Sequence, residues 1–173
     1  IETEEEAKTI EVQSRKIAVL TQTTLSLDDT QRIFRVLRER FPYLTTPSKE
    51  DICYATTNRQ NAVRQLIEQH PIELFYVIGS KNSSNSNRLC ETAEAAGVCA
   101  KLIDTVQDIQ IEDWKGKIAV GLTAGASAPE SLVAEVVLYF KNEGWNSEEV
   151  VFQKEEVNFA LPKEMTELST VAA

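Results

Sequence analysis

Three stretches of this sequence gather hydroxyl and amide side chains where an anion could be held: TQTTLS at 21–26, GSKNSSNSN at 79–87 and TAGASAP at 123–129. Each follows a short apolar run and precedes a segment of helical spacing. A helix start offers unpaired backbone N–H groups and the positive end of the helix dipole, so converging helix starts can bind phosphate without a lysine cluster. Serine, threonine and asparagine also serve as ordinary helix caps. Thr23 with Thr24, Ser83 and Ser84 with Asn85, and Ser127 nonetheless supply more donors than capping requires. The chemistry implied by these residues alone is recognition of a small anionic ligand, a phosphorylated one among the options.

The second chemical feature is Cys53, in the polar stretch KEDICYATTNRQ. Its position leaves three readings open: a nucleophile, a metal ligand, or an incidental thiol. A nucleophile would need a basic partner to hold it as thiolate, and His70 is the only histidine, in an EQHP sequence where it suits a helix C-terminus. Cys90 falls on an apolar helical stripe and Cys99 in a strand, so both are expected in the core as small hydrophobes. Three cysteines without a CxxC spacing form neither a disulfide framework nor a local zinc site.

The elements that must position these residues follow from hydrophobic spacing. Short apolar runs alternate with helix-period segments, which predicts an α/β fold of βα units with mainly parallel, buried sheets. Strands are expected at 17–21, 72–78, 98–103 and 117–122, with two late candidates at 150–153 and 157–161. Helices are expected after Ser26, with Ile33, Phe34 and Leu37 inward; from about Thr57, burying Val63, Leu66 and Ile67; at 85–96, with a stripe of Leu89, Cys90, Ala93 and Ala96; and at 129–142. Gly97 and Gly144 stand where left-handed helix ends are expected, and Thr3 with Glu6 forms a capping-box pattern for a short acidic helix. Divisions are expected at 1–49, 50–140 and 141–173, the last segment fraying at its end.

Composition narrows the class of function. The 173 residues carry 18 Lys and Arg against 27 Asp and Glu, a net charge of -9. An acidic surface gains no counterion-release energy from nucleic acid or an anionic bilayer, so neither is an expected partner. No apolar run approaches the roughly 18 residues of a membrane span, and no secretory signal opens the sequence. A cytoplasmic home is expected, or the plastid stroma for a plant or alga. Ile1 at the start reads as an internal boundary or a processed end.

The motifs LTQTTLSLDDT, DICYATTNRQ, GSKNSSNSNRL and TAGASAPE occur in the order and approximate spacing found in 4-hydroxy-3-methylbut-2-enyl diphosphate reductases, and the chain resembles the C-terminal part of that family from about residue 1 through Lys163. The resemblance implies three similar α/β subdomains around a central cavity. It implies a [4Fe-4S] cluster held by three cysteines with one iron open to substrate, and reductive dehydroxylation of an allylic diphosphate to isopentenyl and dimethylallyl diphosphate in isoprenoid biosynthesis. Electrons would come from a donor such as ferredoxin or flavodoxin. Carried over by motif, Cys53 would be the third cluster ligand, Thr23 would face the substrate hydroxyl and proton path beside Thr24, and Ser83, Ser84, Asn85 and Ser127 would bind the diphosphate. The family's other two cluster cysteines, its diphosphate-binding histidines and its proton-donating glutamate have no counterpart here. The expectation is therefore a fragment that needs the missing N-terminal part and is inactive alone. The alternatives are a non-catalytic phosphate- or diphosphate-binding α/β module, and a structural α/β domain whose turns are only caps.

Overall fold

The computed structural model describes residues 1–46 and 52–152. Its centre is a three-stranded parallel sheet in the order β4-β3-β5, built from Leu74–Ile78 (β3), Cys99–Ile103 (β4) and Val120–Ala124 (β5). Every residue of β3 is buried, because a central parallel strand is covered on both faces and so reads as a continuous apolar run. One face carries Phe75 and Val77 against Val63 of α3 (Tyr54–Gln69) and Leu89 and Ala93 of α4 (Ser84–Ala95). The other face carries Leu74, Tyr76 and Ile78 against Trp114 of α5 (Ile111–Trp114) and Val136 and Phe140 of α6 (Glu130–Asn142). An edge-to-face aromatic cluster of Trp114, Tyr139, Phe140 and Trp145 closes that side.

A smaller unit precedes this sheet. Ile17–Ala18 (β1) pairs in parallel with Leu44–Thr45 (β2), joined by α2 (Leu27–Arg40). Ser26 caps α2 by accepting a hydrogen bond from the Asp29 N–H at 3.3 Å. The short α1 (Glu4–Thr9) begins at the expected cap, with the Glu6 N–H on Thr3 Oγ1 at 3.2 Å. Arg40, in the last turn of α2, donates to the Ala7 and Ile10 carbonyls that end α1.

Several boundaries differ from the spacing-based expectation. β1 stops at Ala18 rather than Thr21, and Leu20 is exposed in the turn that follows. α3 starts at Tyr54 rather than Thr57, because the Thr57 N–H already closes a helical bond on the Cys53 carbonyl at 3.0 Å. β5 begins at Val120 rather than Lys117: Ile118 is 78 % exposed, and the Lys117 N–H bonds the Trp114 carbonyl in a turn. Cys99 is exposed and not in the core, since β4 is an edge strand whose residues alternate outward. Ala96, placed in the α4 stripe, is also exposed. Residues 150–152 form no strand, and the remaining late strand candidates lie outside the described residues. Gly97 and Gly144 adopt the expected positive φ, 85° and 87°.

Candidate functional site

The strand order reverses at β3. The chain leaving β3 crosses over one face through α4 to β4, whereas the chain leaving β5 enters α6 on the opposite face. Between the carboxyl ends of two such strands the connections diverge and leave a crevice, the usual ligand position in an open α/β sheet. The second and third hydroxyl-rich turns begin on either side of that crevice, at Gly79 and Gly125. Gly125 N–H bonds the Ile78 carbonyl at 2.9 Å, and Gly79 N–H bonds that of Ile103 at 2.9 Å, so both turns are anchored to the sheet.

Ser86 lies between the two glycines. A Cβ at either Gly79 or Gly125 would overlap the Ser86 hydroxyl, and one at Gly125 would come within 3.8 Å of Asn85 Nδ2. Asn85 is 7 % exposed and Ser86 1 %. Among the described residues, the buried side-chain polar atoms without a partner are both amide atoms of Asn85, Ser86 Oγ, Thr57 Oγ1 and Trp114 Nε1. All but the last belong to the first turns of α3 and α4. Buried polar atoms are almost always hydrogen-bonded, and leaving one unsatisfied costs about 1–3 kcal/mol, so this cluster marks the candidate site.

Three of the remaining polar side chains of the second turn have structural work. Ser83 caps α4 by accepting from the Ser86 N–H at 3.3 Å, Ser80 Oγ accepts from the Asn82 N–H at 3.2 Å, and Asn87 Nδ2 donates to the Lys81 carbonyl at 3.0 Å. Ser84 is exposed at the first position of α4. Ser127 is exposed within the turn closed by the Ala128 N–H on the Gly125 carbonyl at 3.0 Å.

Cys53 is the N-cap residue of α3, exposed, and its side chain makes no capping bond. Its own N–H donates to the Thr23 carbonyl at 3.0 Å, which brings the first turn to the start of α3. Thr23 is exposed and Thr24 half-buried. Farther along α3, Arg59 Nε donates to the Ala124 carbonyl at 3.1 Å, tying the helix to the turn after β5. The three turns and Cys53 thus form one connected arrangement. Neither α3 nor α6 has a side-chain cap or, in α3, an acidic residue in its first turn, which leaves their leading N–H groups to other acceptors.

The described residues do not amount to a cluster site on their own. They hold no group of three His, Cys, Asp or Glu side chains able to bind a metal ion. Cys90 is half-buried on α4, and burial, followed by the carboxylates of Glu94 and Glu91, pushes its thiol up to about 11. Cys99 lies on an outer strand. Ser86, Thr57 and the two glycines escaped the sequence reading. The available signal was that Gly79 and Gly125 each directly follow a buried strand.

A parallel α/β domain with hydroxyl-lined turns at its topological switch point is an architecture shared by many ligand-binding proteins of different function. Known proteins narrow it: the model of the LytB protein family matches residues 1–141. The chain belongs to the LytB family. A 4-hydroxy-3-methylbut-2-enyl diphosphate reductase of Alcanivorax borkumensis is 54 % identical over 149 residues, covering 86 % of this chain and 47 % of that protein. The one from Azotobacter vinelandii is 46 % identical over 172 residues, covering 98 % and 54 %. The solved E-1-hydroxy-2-methyl-but-2-enyl-4-diphosphate reductase of Plasmodium falciparum superposes with a TM-score of 0.87 at 29 % identity, over 99 % of this chain and 55 % of its own. The chain spans about half the length of these relatives.

Proposed function

We propose that this chain supplies the diphosphate-binding half of a 4-hydroxy-3-methylbut-2-enyl diphosphate reductase. The observation that carries the reading is the set of partnerless polar atoms of Asn85 and Ser86 between Gly79 and Gly125, at the carboxyl ends of β3 and β5. A diphosphate would suit this region: its oxygens would accept from exposed Ser84 and Ser127, from the uncapped N–H groups of α6 and, once the turn opens to admit it, from the Asn85 amide. Thr23 and Thr24, held beside Cys53, would face the allylic hydroxyl. Cys53 would give one of three thiolates to a [4Fe-4S] cluster, which when bound supplies the electrons and an open iron for the hydroxyl. The other two thiolates and the proton donor would come from the half of the fold that the relatives possess beyond this chain. On this reading residues 1–49 complete one α/β subdomain, residues 50–140 form the next, and 141–173 are a tail. Alone, the chain would bind diphosphate without turnover.

Two measurements test the proposal. Calorimetric titration of this chain with inorganic pyrophosphate and with the allylic diphosphate should show binding that is lost in Asn85→Ala; no binding of either would refute the diphosphate reading. Anaerobic iron and sulphide reconstitution of a polypeptide extended to the length of the relatives should give a visible cluster absorption that Cys53→Ser abolishes. Diphosphate binding with a cluster indifferent to Cys53, or with none, would make the protein a non-catalytic binding module.

A further inference from the structure

Gln60 is a fully buried polar side chain, 0 % exposed, in a helix that also turns Thr56, Val63 and half-buried Leu66 and Ile67 inward. Its amide is spent on one target. Oε1 accepts from the Leu27 N–H at 3.2 Å, and Nε2 donates to the Leu25 carbonyl at 3.0 Å. Seven residues earlier on α3, two helical turns and about 10 Å back along the same face, the Cys53 N–H donates to the Thr23 carbonyl at 3.0 Å. Residues 23 and 25 of the turn and Leu27, the first residue of α2, are therefore laid along α3 by three hydrogen bonds.

We propose that Gln60 is a positioning residue: its amide clamps the turn from Thr23 to Leu27 onto α3 and so sets where Thr23 stands relative to the Cys53 thiol. The side chain is chemically specific for the task. Both a donor and an acceptor are needed, which excludes glutamate, and the reach of two methylenes is needed, which excludes asparagine. A purely structural glutamine would stabilise the whole domain evenly, whereas a clamp acts on the one turn it grips. The proposal deepens the reading of Thr23 and Cys53 as site residues and rests on it.

The test uses this chain without ligand, so its result is independent of the pyrophosphate titration that tests the site itself. In the wild type, the Leu27 and Cys53 amides should be protected from hydrogen exchange; exchange of the Leu27 amide at the open-chain rate would overturn the proposal before any variant is made. In Gln60→Met, which keeps the volume and loses both bonds, those two amides should exchange about tenfold faster, the loss expected of one buried hydrogen bond. The alkylation rate of Cys53 should change at least about fivefold relative to that of exposed Cys99 in the same molecule. Gln60→Glu, which keeps the acceptor, gives the second variant and should shift the same ratio in the same direction. An unchanged ratio, or an equal change at both cysteines, means general loosening and overturns the clamp.

Discussion

Asn85 encloses an entire amide, two donors and an acceptor, without a hydrogen-bond partner in the protein. Truncation to alanine removes a desolvation cost together with some packing, so stability and binding should part. We expect Asn85→Ala to shift the melting temperature by only a few degrees, corresponding to within about 1 kcal/mol, while pyrophosphate affinity falls at least about tenfold. A melting scan beside a titration checks both halves. Cys90 offers a prediction in alkali. An unfolded chain ionises this thiol near 9 and the folded chain near 11, so the stability it contributes is intact below about 9 and is lost as pH rises through about 11. The buried Tyr76 hydroxyl, desolvated and bonded to Asp113 at 3.4 Å, is also held above its ordinary range and acts in the same direction. The urea midpoint should therefore drop between about pH 8 and about pH 10.5, and less steeply in Cys90→Ala. Of these residues, Asn85 was legible from its motif. Ser86 was not, because in a run of serines and asparagines nothing local tells which hydroxyl will be enclosed; that depends on two glycines, one of them nearly forty residues away.

The elements were legible in proportion to how completely tertiary contacts enforce a period. β3 reads directly because both its faces are covered. α3 was read three residues short, since CYAT carries neither an acidic first turn nor a conventional cap, and its start is fixed instead by the Thr23 carbonyl on the Cys53 N–H. Edge strands misled in both directions: Cys99 points out of β4, and the apolar Ile118 precedes β5 rather than entering it. A close contact between neighbouring strands lies at Gly121 of β5, where a Cβ would overlap the ring of Phe75. That ring is enclosed and cannot move freely, so Gly121→Ala should destabilise by about 1–3 kcal/mol, as overpacked cores do. Chemical denaturation measures this, and an unchanged midpoint would mean that Phe75 can turn aside. Gly79→Ala should instead displace Ser86 and weaken pyrophosphate binding more than it lowers stability, which distinguishes a glycine kept for the crevice from one kept for the core.

At the scale of the molecule, the spacing announced a parallel α/β chain but not that its two sheets would be so unequal. Residues 17–45 contribute strands of only two residues each, while residues 74–124 contribute three strands of five. A difference of this kind is invisible to hydrophobic period, which reports which face of an element is covered and not what covers it. Among the described residues no helix is long and apolar enough to cross a membrane. A two-stranded sheet is marginal in water unless it packs on something larger, so the first unit depends on α1, on α2 and on the grip of α3. Between α1 and β1, residues 10–16 run exposed or half-exposed without regular structure and end in Arg15 and Lys16. Brief digestion with trypsin should therefore cut there first, releasing the acidic N-terminal peptide and with it the carbonyls that occupy Arg40. The bond from Cys53 to Thr23 lies wholly on the retained side of that cut, so the trimmed protein should keep its pyrophosphate affinity even as its N-terminal unit loses heat resistance.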